Sequence, residues 1–208
     1  MQFVGKELWF PDANEADEDG LLAVGGDLSP ERVLLAYSKG IFPWFIESGL
    51  VFWYCPPERF VLYPNQVNIS HSMAQLIKKQ QFTITENVNF TDVVSLCAAT
   101  HRVTKGSTWI SKTFVESYTE LYRMGKARSV EVWENDELIG GLYGVEVGHI
   151  FCGESMFSLK PNVSKLALIH LCQTNRYSLI DCQVYSKHLE TMGAKLIERS
   201  SFIKQLKN

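Results

Sequence analysis

No stretch of the sequence approaches the roughly 18 unbroken apolar residues of a membrane helix. Its first residues, Met1-Gln2-Phe3-Val4-Gly5-Lys6-Glu7, hold no hydrophobic segment of the kind that opens a secretory leader. The expectation is therefore a cytoplasmic protein without a membrane partner. Paired cysteines are missing too: there are five, an odd number, and none stands in a Cys-x-x-Cys pair. That usage fits reduced thiols rather than a disulfide framework. Cys97 and His101 have helical spacing, but no second ligand pair lies near them, so no metal site is expected. Gly25-Gly26-Asp27 is not followed by Lys-Ser or Lys-Thr, which makes it a tight turn rather than a phosphate loop. Repeats and low-complexity tracts are absent.

What remains is an ordinary globular composition, 208 residues with 46% hydrophobic and 21% charged, enough for one large or two small domains. The net charge of −3 hides an asymmetry. Residues 1–60 carry 4 Lys or Arg against 10 Asp or Glu, whereas residues 61–208 carry 16 against 13. A polyanion is thus expected to meet the second part. The acidic run at 12–19 reads as a solvated loop. Ser29-Pro30-Glu31 opens a helix that Gly40 stops. Two aromatic-rich stretches follow, at 41–45 and 51–55, and Pro56-Pro57 marks a break. We place a boundary there, giving a small N-terminal α/β domain at 1–60 and a larger domain at 61–208.

The larger domain reads as a strand at 59–63, a helix capped by Ser70, a strand at 82–85, and helices at 90–99 and 111–124. A strand meander follows, with turns at Asn135-Asp136 and Gly148. Next come a helix to about residue 172, a strand at 179–184 and two short closing helices. In the last strand, Leu179-Ile180-Asp181-Cys182-Gln183-Val184, alternation puts Asp181 and Gln183 on one face and Cys182 on the other. A carboxylate in a buried strand costs several kcal/mol unless partnered. It marks either a structural network or a site. Meander, helix, strand is also the order found in acyltransferases of the GNAT (acyl-CoA N-acyltransferase) type. Those proteins cradle a CoA pyrophosphate on a glycine-rich loop, and the equivalent segment here, Ser158-Leu159-Lys160-Pro161-Asn162-Val163-Ser164, has no glycine. The fold class is therefore α+β with a GNAT-like second domain, and no CoA or other cofactor is expected.

Several stretches carry a more specific resemblance. They are Gly20-Leu21-Leu22-Ala23-Val24-Gly25-Gly26-Asp27-Leu28-Ser29-Pro30, Gly40-Ile41-Phe42-Pro43-Trp44-Phe45, Gly140-Gly141-Leu142-Tyr143-Gly144, Phe151-Cys152-Gly153-Glu154-Ser155-Met156-Phe157 and Asp181-Cys182-Gln183. In this order they resemble the leucyl/phenylalanyl-tRNA–protein transferases. The resemblance implies an aminoacyltransferase that moves Leu or Phe, and Met less well, from aminoacyl-tRNA to the N-terminal Arg or Lys of a protein or peptide. The product is a degradation signal of the bacterial N-end rule. Asp181 and Gln183 would be the catalytic pair, with Glu154 beside them. Trp44 and Trp109 would pack on the terminal adenosine. Leu142, Met156, Leu168 and Leu171 would wall the pocket for the transferred side chain, and Lys78 and Lys79 would help to hold the tRNA. The enzyme is expected to act as a monomer. Competing readings are the same fold with another acyl donor, a non-catalytic tRNA- or N-terminus-binding module, and a covalent route through Cys182 and His188.

The helix that ends in Lys78-Lys79 presents His71 and Gln75 where relatives can carry Arg. Affinity for tRNA should therefore fall only shallowly with salt, with a slope of about two or three phosphate contacts. Replacing both Lys78 and Lys79 by Ala should remove most of that slope in a binding titration across salt concentrations. An undiminished slope would place the phosphate contacts elsewhere.

Overall fold

The computed structural model describes residues 1–105 and 110–207, and for 101–105 the backbone alone. The aromatic-rich stretches build a first sheet. In it β1 (Gln2–Val4) runs parallel to β2 (Leu21–Gly25). A hairpin of β3 (Phe42–Glu47) and β4 (Leu50–Tyr54) adds to β2, giving the order β1-β2-β4-β3. Between β2 and β3 lies α1 (Pro30–Ser38), with Pro30 and Glu31 in its first turn, where a missing N–H and a negative charge suit a helix start. Gly40 ends it at φ 78°, a conformation open to glycine, and donates to the Tyr37 carbonyl. Trp53 is wholly buried, and its indole N–H donates to the Gly25 carbonyl at 2.8 Å.

The second sheet takes seven strands. β5 (Glu58–Leu62) leads by way of α2 (His71–Lys78) to β6 (Thr83–Glu86). Two helices follow, α3 (Phe90–Lys105) and α4 (Lys112–Arg123). The meander is β7 (Ala127–Glu134), β8 (Glu137–Val147) and β9 (Ile150–Ser158). Asn135 and Asp136, at φ 49° and 66°, make its first turn, the positive pair a tight hairpin needs. Then come α5 (Val163–Gln173), β10 (Leu179–Gln183), α6 (Lys187–Glu190), β11 (Lys195–Glu198) and α7 (Arg199–Gln205). The spatial order is β11-β5-β10-β9-β8-β7-β6, with β10 parallel to β9 and antiparallel to β5.

Each face of this sheet has its own apolar cluster. On one, α5 covers β7, β8 and β9, and packs Val163, Leu166, Leu168 and Leu171 with Leu142, Phe151 and Ile180. On the other, α3 and α4 contribute Val93, Cys97, Phe114 and Tyr118 to a cluster that continues into the first sheet through Tyr37, Phe42 and Trp53. The C-terminal helix fastens the two sheets together. Phe202 is buried, and Arg199 donates to the Pro56 and Ala13 carbonyls.

The chain leaves the first sheet after Tyr54 and enters the second at Glu58. Two elements escape the sequence pattern. The stretch between the two closing helices forms β11, which pairs Leu196 with Phe60 at the sheet edge. Three of its four residues are exposed and the fourth, Ile197, is partly so, which leaves a strand too short and too wet to show alternation. β1 is likewise a three-residue edge strand.

Gly144 lies where the β8–β9 register shifts. A Cβ there would approach the Phe151 ring to 2.6 Å and crowd the Cys152 carbonyl oxygen. Gly144→Ala is therefore expected to cost about 1–3 kcal/mol, as overpacking does. A urea midpoint equal to that of the unsubstituted protein would show that the strands part freely.

Candidate active site

The cleft begins where two strands separate. β9 and β10 pair in parallel from Leu179 opposite Ile150 to Asp181 opposite Cys152, and no further. At the same place β10 slips its register against β5, so that Gln183 rather than Cys182 faces Phe60. Gln183 stands at φ 63°, in the left-handed region that a non-glycine residue enters only when its surroundings hold it there. The gap opens into a cleft of about 460 Å³.

Its two sides differ in chemistry. Leu142, Phe151, Met156, Leu168, Ile180 and Cys182 line an apolar side. Leu142 and Met156 are cross-strand partners and so stand next to each other on one face. Phe42, Trp44, Tyr143, Glu154, Asp181 and Gln183 line the polar and aromatic side. The half-buried Trp44 is held edge-on against Tyr54 at 4.7 Å between ring centroids. His188 and Leu189 close the outer rim.

Asp181 is fully buried, and its carboxylate is completely engaged. The Arg59 guanidinium donates to both carboxylate oxygens at 2.7 Å, and the Gln183 backbone N–H donates to Oδ1 at 2.9 Å. Arg59 also donates to the Gly40 carbonyl at 3.1 Å and lies between the rings of Phe42 and Phe202, 4.6 Å from each centroid. Burial opposes the Arg59 charge, but the Asp181 carboxylate outweighs it, and the guanidinium pKa ends above its ordinary value. Arg59 and the Gln183 backbone thus take up both Asp181 oxygens, and the carboxylate holds the turn that carries Gln183.

Glu154 is the second buried carboxyl of the cleft. Its Oε1 accepts from the Tyr37 hydroxyl at 2.5 Å and from the Gln183 side-chain N–H at 2.6 Å, while Oε2 accepts from the Tyr118 hydroxyl at 2.9 Å. Burial pushes its pKa up to about 7, against the pull of these three donors, and the Asp181 charge adds to the rise. Burial and the Glu154 charge raise Tyr37 and Tyr118 well above their ordinary value, so both remain donors. With its N–H on Glu154, the Gln183 amide leaves its carbonyl oxygen bonded to no described residue.

The structure thus brings Asp181, Gln183 and Glu154 together, with Trp44, Leu142, Met156 and Leu168 around them. Leu171 does not reach the cleft. One turn beyond Leu168, it is buried in the core beneath α5. Lys78 and Lys79 stand exposed at the end of α2, away from the lining, and Trp109 lies outside the described residues. Cys182 faces the apolar side, and burial raises its thiol pKa far above the ordinary range, so it is no ready nucleophile for the covalent route with His188. At the start of α5, Ser164 N–H is taken by Ser158 Oγ and Val163 N–H by the Lys160 carbonyl, so these donors do not face outward as a pyrophosphate cradle requires.

Sequence reasoning missed Arg59, Tyr37 and Tyr118. A cation directly before the apolar run Phe60-Val61-Leu62 of Glu58–Leu62 was a usable signal for Arg59, because a buried Asp181 demanded a partner. The tyrosines carry no such mark. On the helix face, Tyr37 reads as core, and only its hydroxyl betrays the site.

Comparison with known proteins bears on the family and the fold. The family model described as leucyl/phenylalanyl-tRNA protein transferase matches residues 61–207, and that of the N-terminal domain of the same transferase matches residues 26–57. A protein of Flavobacterium johnsoniae with the name leucyl/phenylalanyl-tRNA–protein transferase is 48% identical over 211 residues, covering 100% of both chains. A protein of the same name from Flavobacterium psychrophilum is 49% identical over 210 residues, again with 100% of each covered. One from Syntrophus aciditrophicus is 48% identical over 202 residues, 96% of this chain and 84% of that one. Among solved structures, FemX superposes with a TM-score of 0.53 at 9% identity, over 81% of this chain and 66% of its own. That likeness speaks to the GNAT-like fold alone.

The raised Glu154 pKa has a consequence for stability. A carboxyl that holds its proton more tightly when folded stabilises the protein fully below the unfolded pKa near 4.5, and that contribution is lost as pH rises through about 7. Glu154→Gln should remove this slope from urea unfolding measured between these two values. Parallel stability profiles for the two proteins would mean that Glu154 titrates at its ordinary value.

Proposed function

Because the chain belongs to the leucyl/phenylalanyl-tRNA–protein transferase family, we propose that its cleft joins the aminoacyl ester of Leu- or Phe-tRNA, and of Met-tRNA more weakly, to an N-terminal Arg or Lys. The protein is an aminoacyltransferase. Its products carry an N-end rule degradation signal. Five free thiols fit a reducing cytoplasm. The observation that carries this reading is the hydrogen bond from Gln183 to Glu154, placed at the point where β9 and β10 part.

The donor ester is already activated, and an N-terminal amine with a pKa of about 8 is partly neutral at pH 7. Most of the work is therefore placement, for which proximity supplies on the order of 7–11 kcal/mol in favourable cases. The transferred side chain enters the apolar side, against Leu142, Met156 and Leu168. Trp44 packs on the terminal adenosine. The amine approaches from the Glu154 side and donates one N–H to the free Gln183 carbonyl oxygen, which aims its lone pair at the ester carbon. Attack forms the C–N bond, collapse breaks the bond to the ribose oxygen, and one proton must pass from nitrogen to that oxygen. Glu154, poised near neutrality, takes the proton and returns it. Asp181 and Arg59 act one layer behind by holding Gln183 in its left-handed conformation.

The direct test follows labelled Phe or Leu from tRNA to a protein that begins with Arg. Label remaining wholly on the tRNA would sink the proposal. With transfer established, kcat/KM should rise with pH through two ionisations, Glu154 near 7 and the acceptor amine near ~8. Glu154→Gln should lower the rate by at least about tenfold and abolish the lower inflection only. An unchanged profile would remove Glu154 from the proton transfer.

A further inference from the structure

Among the strands that end the two sheets, only β3 reaches the cleft, since β1, β6 and β11 give it no lining residue. Phe42, Pro43 and Trp44, consecutive on β3, all line it. Neighbours on a strand point to opposite faces, so a cavity that touches all three meets the strand edge-on. β4 holds the other edge of β3 and gives the cleft no residue. The edge at the cleft is therefore the one that β4 leaves free. Its hydrogen-bonding groups follow from the hairpin turn. Ser48 and Gly49, at φ 51° and 80°, form a two-residue loop, which makes Glu47 and Leu50 the hydrogen-bonded pair that closes it. Ile46 opposite Val51 is then a non-hydrogen-bonded pair, and the Ile46 N–H and C=O point away from β4. Neither finds a partner among the described residues. The rings of β3 lean inward and leave this edge uncovered. Trp44 rests on Tyr54 and Phe45 stacks on Phe52, both of β4, each at 4.7 Å between centroids.

From this geometry we infer that the acceptor polypeptide runs into the cleft along the free edge of β3, its residues behind the N-terminal Arg or Lys added to Ile46 as a parallel strand. This rests on the acceptor reading given above. The direction follows from the reaction. Phe42 packs on the Arg59 guanidinium that holds Asp181, so this end of β3 is the one beside the reacting groups. With its amine there, the acceptor leaves toward Glu47, as β3 does. Pro43 has no N–H, which ends the pairing and releases the first acceptor residue into the cleft. The other polymer at the cleft, the RNA strand behind the terminal adenosine, suits this edge poorly. Residues 42–54 contain no Lys or Arg and one carboxylate, the exposed Glu47, whereas an RNA strand needs cations. The acidic surplus of residues 1–60 favours a chain that begins with a cation instead. Pairing through the main chain reads no side chain beyond the first residue, so acceptors of any following sequence can use the same edge.

The test uses acceptor peptides of about six residues that begin with Arg, with the backbone amide nitrogens methylated one at a time. KM should rise about fivefold, the scale of one hydrogen bond, at the position whose N–H meets the Ile46 carbonyl, and stay level at its neighbours. A flat series, harmless or harmful throughout, would overturn the proposal. Ile46→Pro removes an N–H that faces the free edge and leaves the hairpin bonds in place. It should raise KM about fivefold for the unmethylated peptide and leave transfer to the amide of arginine, too short to pair, unchanged. Equal losses with both acceptors would make Ile46 a support of the cleft and overturn the assignment. A variant that weakens tRNA binding and spares the acceptor KM would overturn it as well, by giving the edge to the RNA. Should the unsubstituted enzyme transfer Phe to the amide of arginine as readily as to the peptide, the strand alone fails. Label that stays on the tRNA with every acceptor would instead remove the acceptor reading.

Discussion

The buried pair of Arg59 and Asp181 is the constraint on which the cleft depends. Taking two charges out of water costs several kcal/mol for each ion, and only good geometry with further hydrogen bonds offsets that cost. Here the guanidinium meets both carboxylate oxygens, a third N–H finds the Gly40 carbonyl, and two aromatic faces cover it. Each of these partners comes from a different part of the chain. Gly40 and Phe42 lie at the end of α1 and the start of β3, Arg59 on β5, Asp181 on β10 and Phe202 on α7. A single polar contact thus fixes how the first sheet, the second sheet and the C-terminal helix meet. Losing either partner would leave an unpaired charge in the core, which is far worse than never having had the pair.

The same pair sets the electrostatics of the site. Because Arg59 neutralises Asp181, Glu154 is the one carboxylate among the described lining residues that faces the cleft without a cation. Burial can then raise its pKa to the neutral range instead of being cancelled by a salt bridge. The tyrosines temper this rise. A carboxyl in an apolar pocket without donors would remain protonated at neutral pH and could accept nothing, whereas one paired with Arg would remain ionised and return nothing. Two hydroxyls and one amide N–H hold Glu154 between these limits.

Much of the scaffold was legible in the sequence because it is written in local pattern. Pro30 and Gly40 bound a helix, Asn135-Asp136 forces a hairpin, and the Leu179-to-Gln183 alternation puts Asp181 and Gln183 on one face with Cys182 opposite. The motifs pointed to Glu154, Leu142, Met156 and Leu168, which line one cleft. The ion pair itself was not legible, since Arg59 and Asp181 are 122 residues apart and a pairing at that distance leaves no periodic trace. Nor was the left-handed backbone of Gln183. Such a conformation is normally signalled by glycine or asparagine, and here it is imposed by the bulge and by the Asp181 carboxylate. Leu171, which the resemblance set on the pocket wall with Leu168, lies one turn further along a buried helix and packs in the core, a placement no local pattern records.

On the proposed reading, the two-sided cleft also explains how one enzyme accommodates side chains as different as Leu and Phe. Discrimination by an apolar pocket is weak in principle, about 1–3 kcal/mol per methylene. The wall residue Met156 weakens it further, because an unbranched thioether reshapes itself around flat or branched guests at little cost. The backbone around it is fixed. Gly140, Gly141 and Gly144 leave no room for side chains where β8 meets β7, β9 and α5, so the strands that carry Leu142 and Met156 cannot shift to tighten the pocket. Adaptability therefore resides in one side chain and rigidity in the strands beneath it. Such a pocket excludes charged and strongly polar side chains, which would lose their hydration without gaining a partner. It does not rank apolar ones sharply. Stricter selection would require a polar group at the bottom of the apolar side, which the described lining does not provide. The polar groups are all placed on the other side, where the proposed reaction puts the new bond.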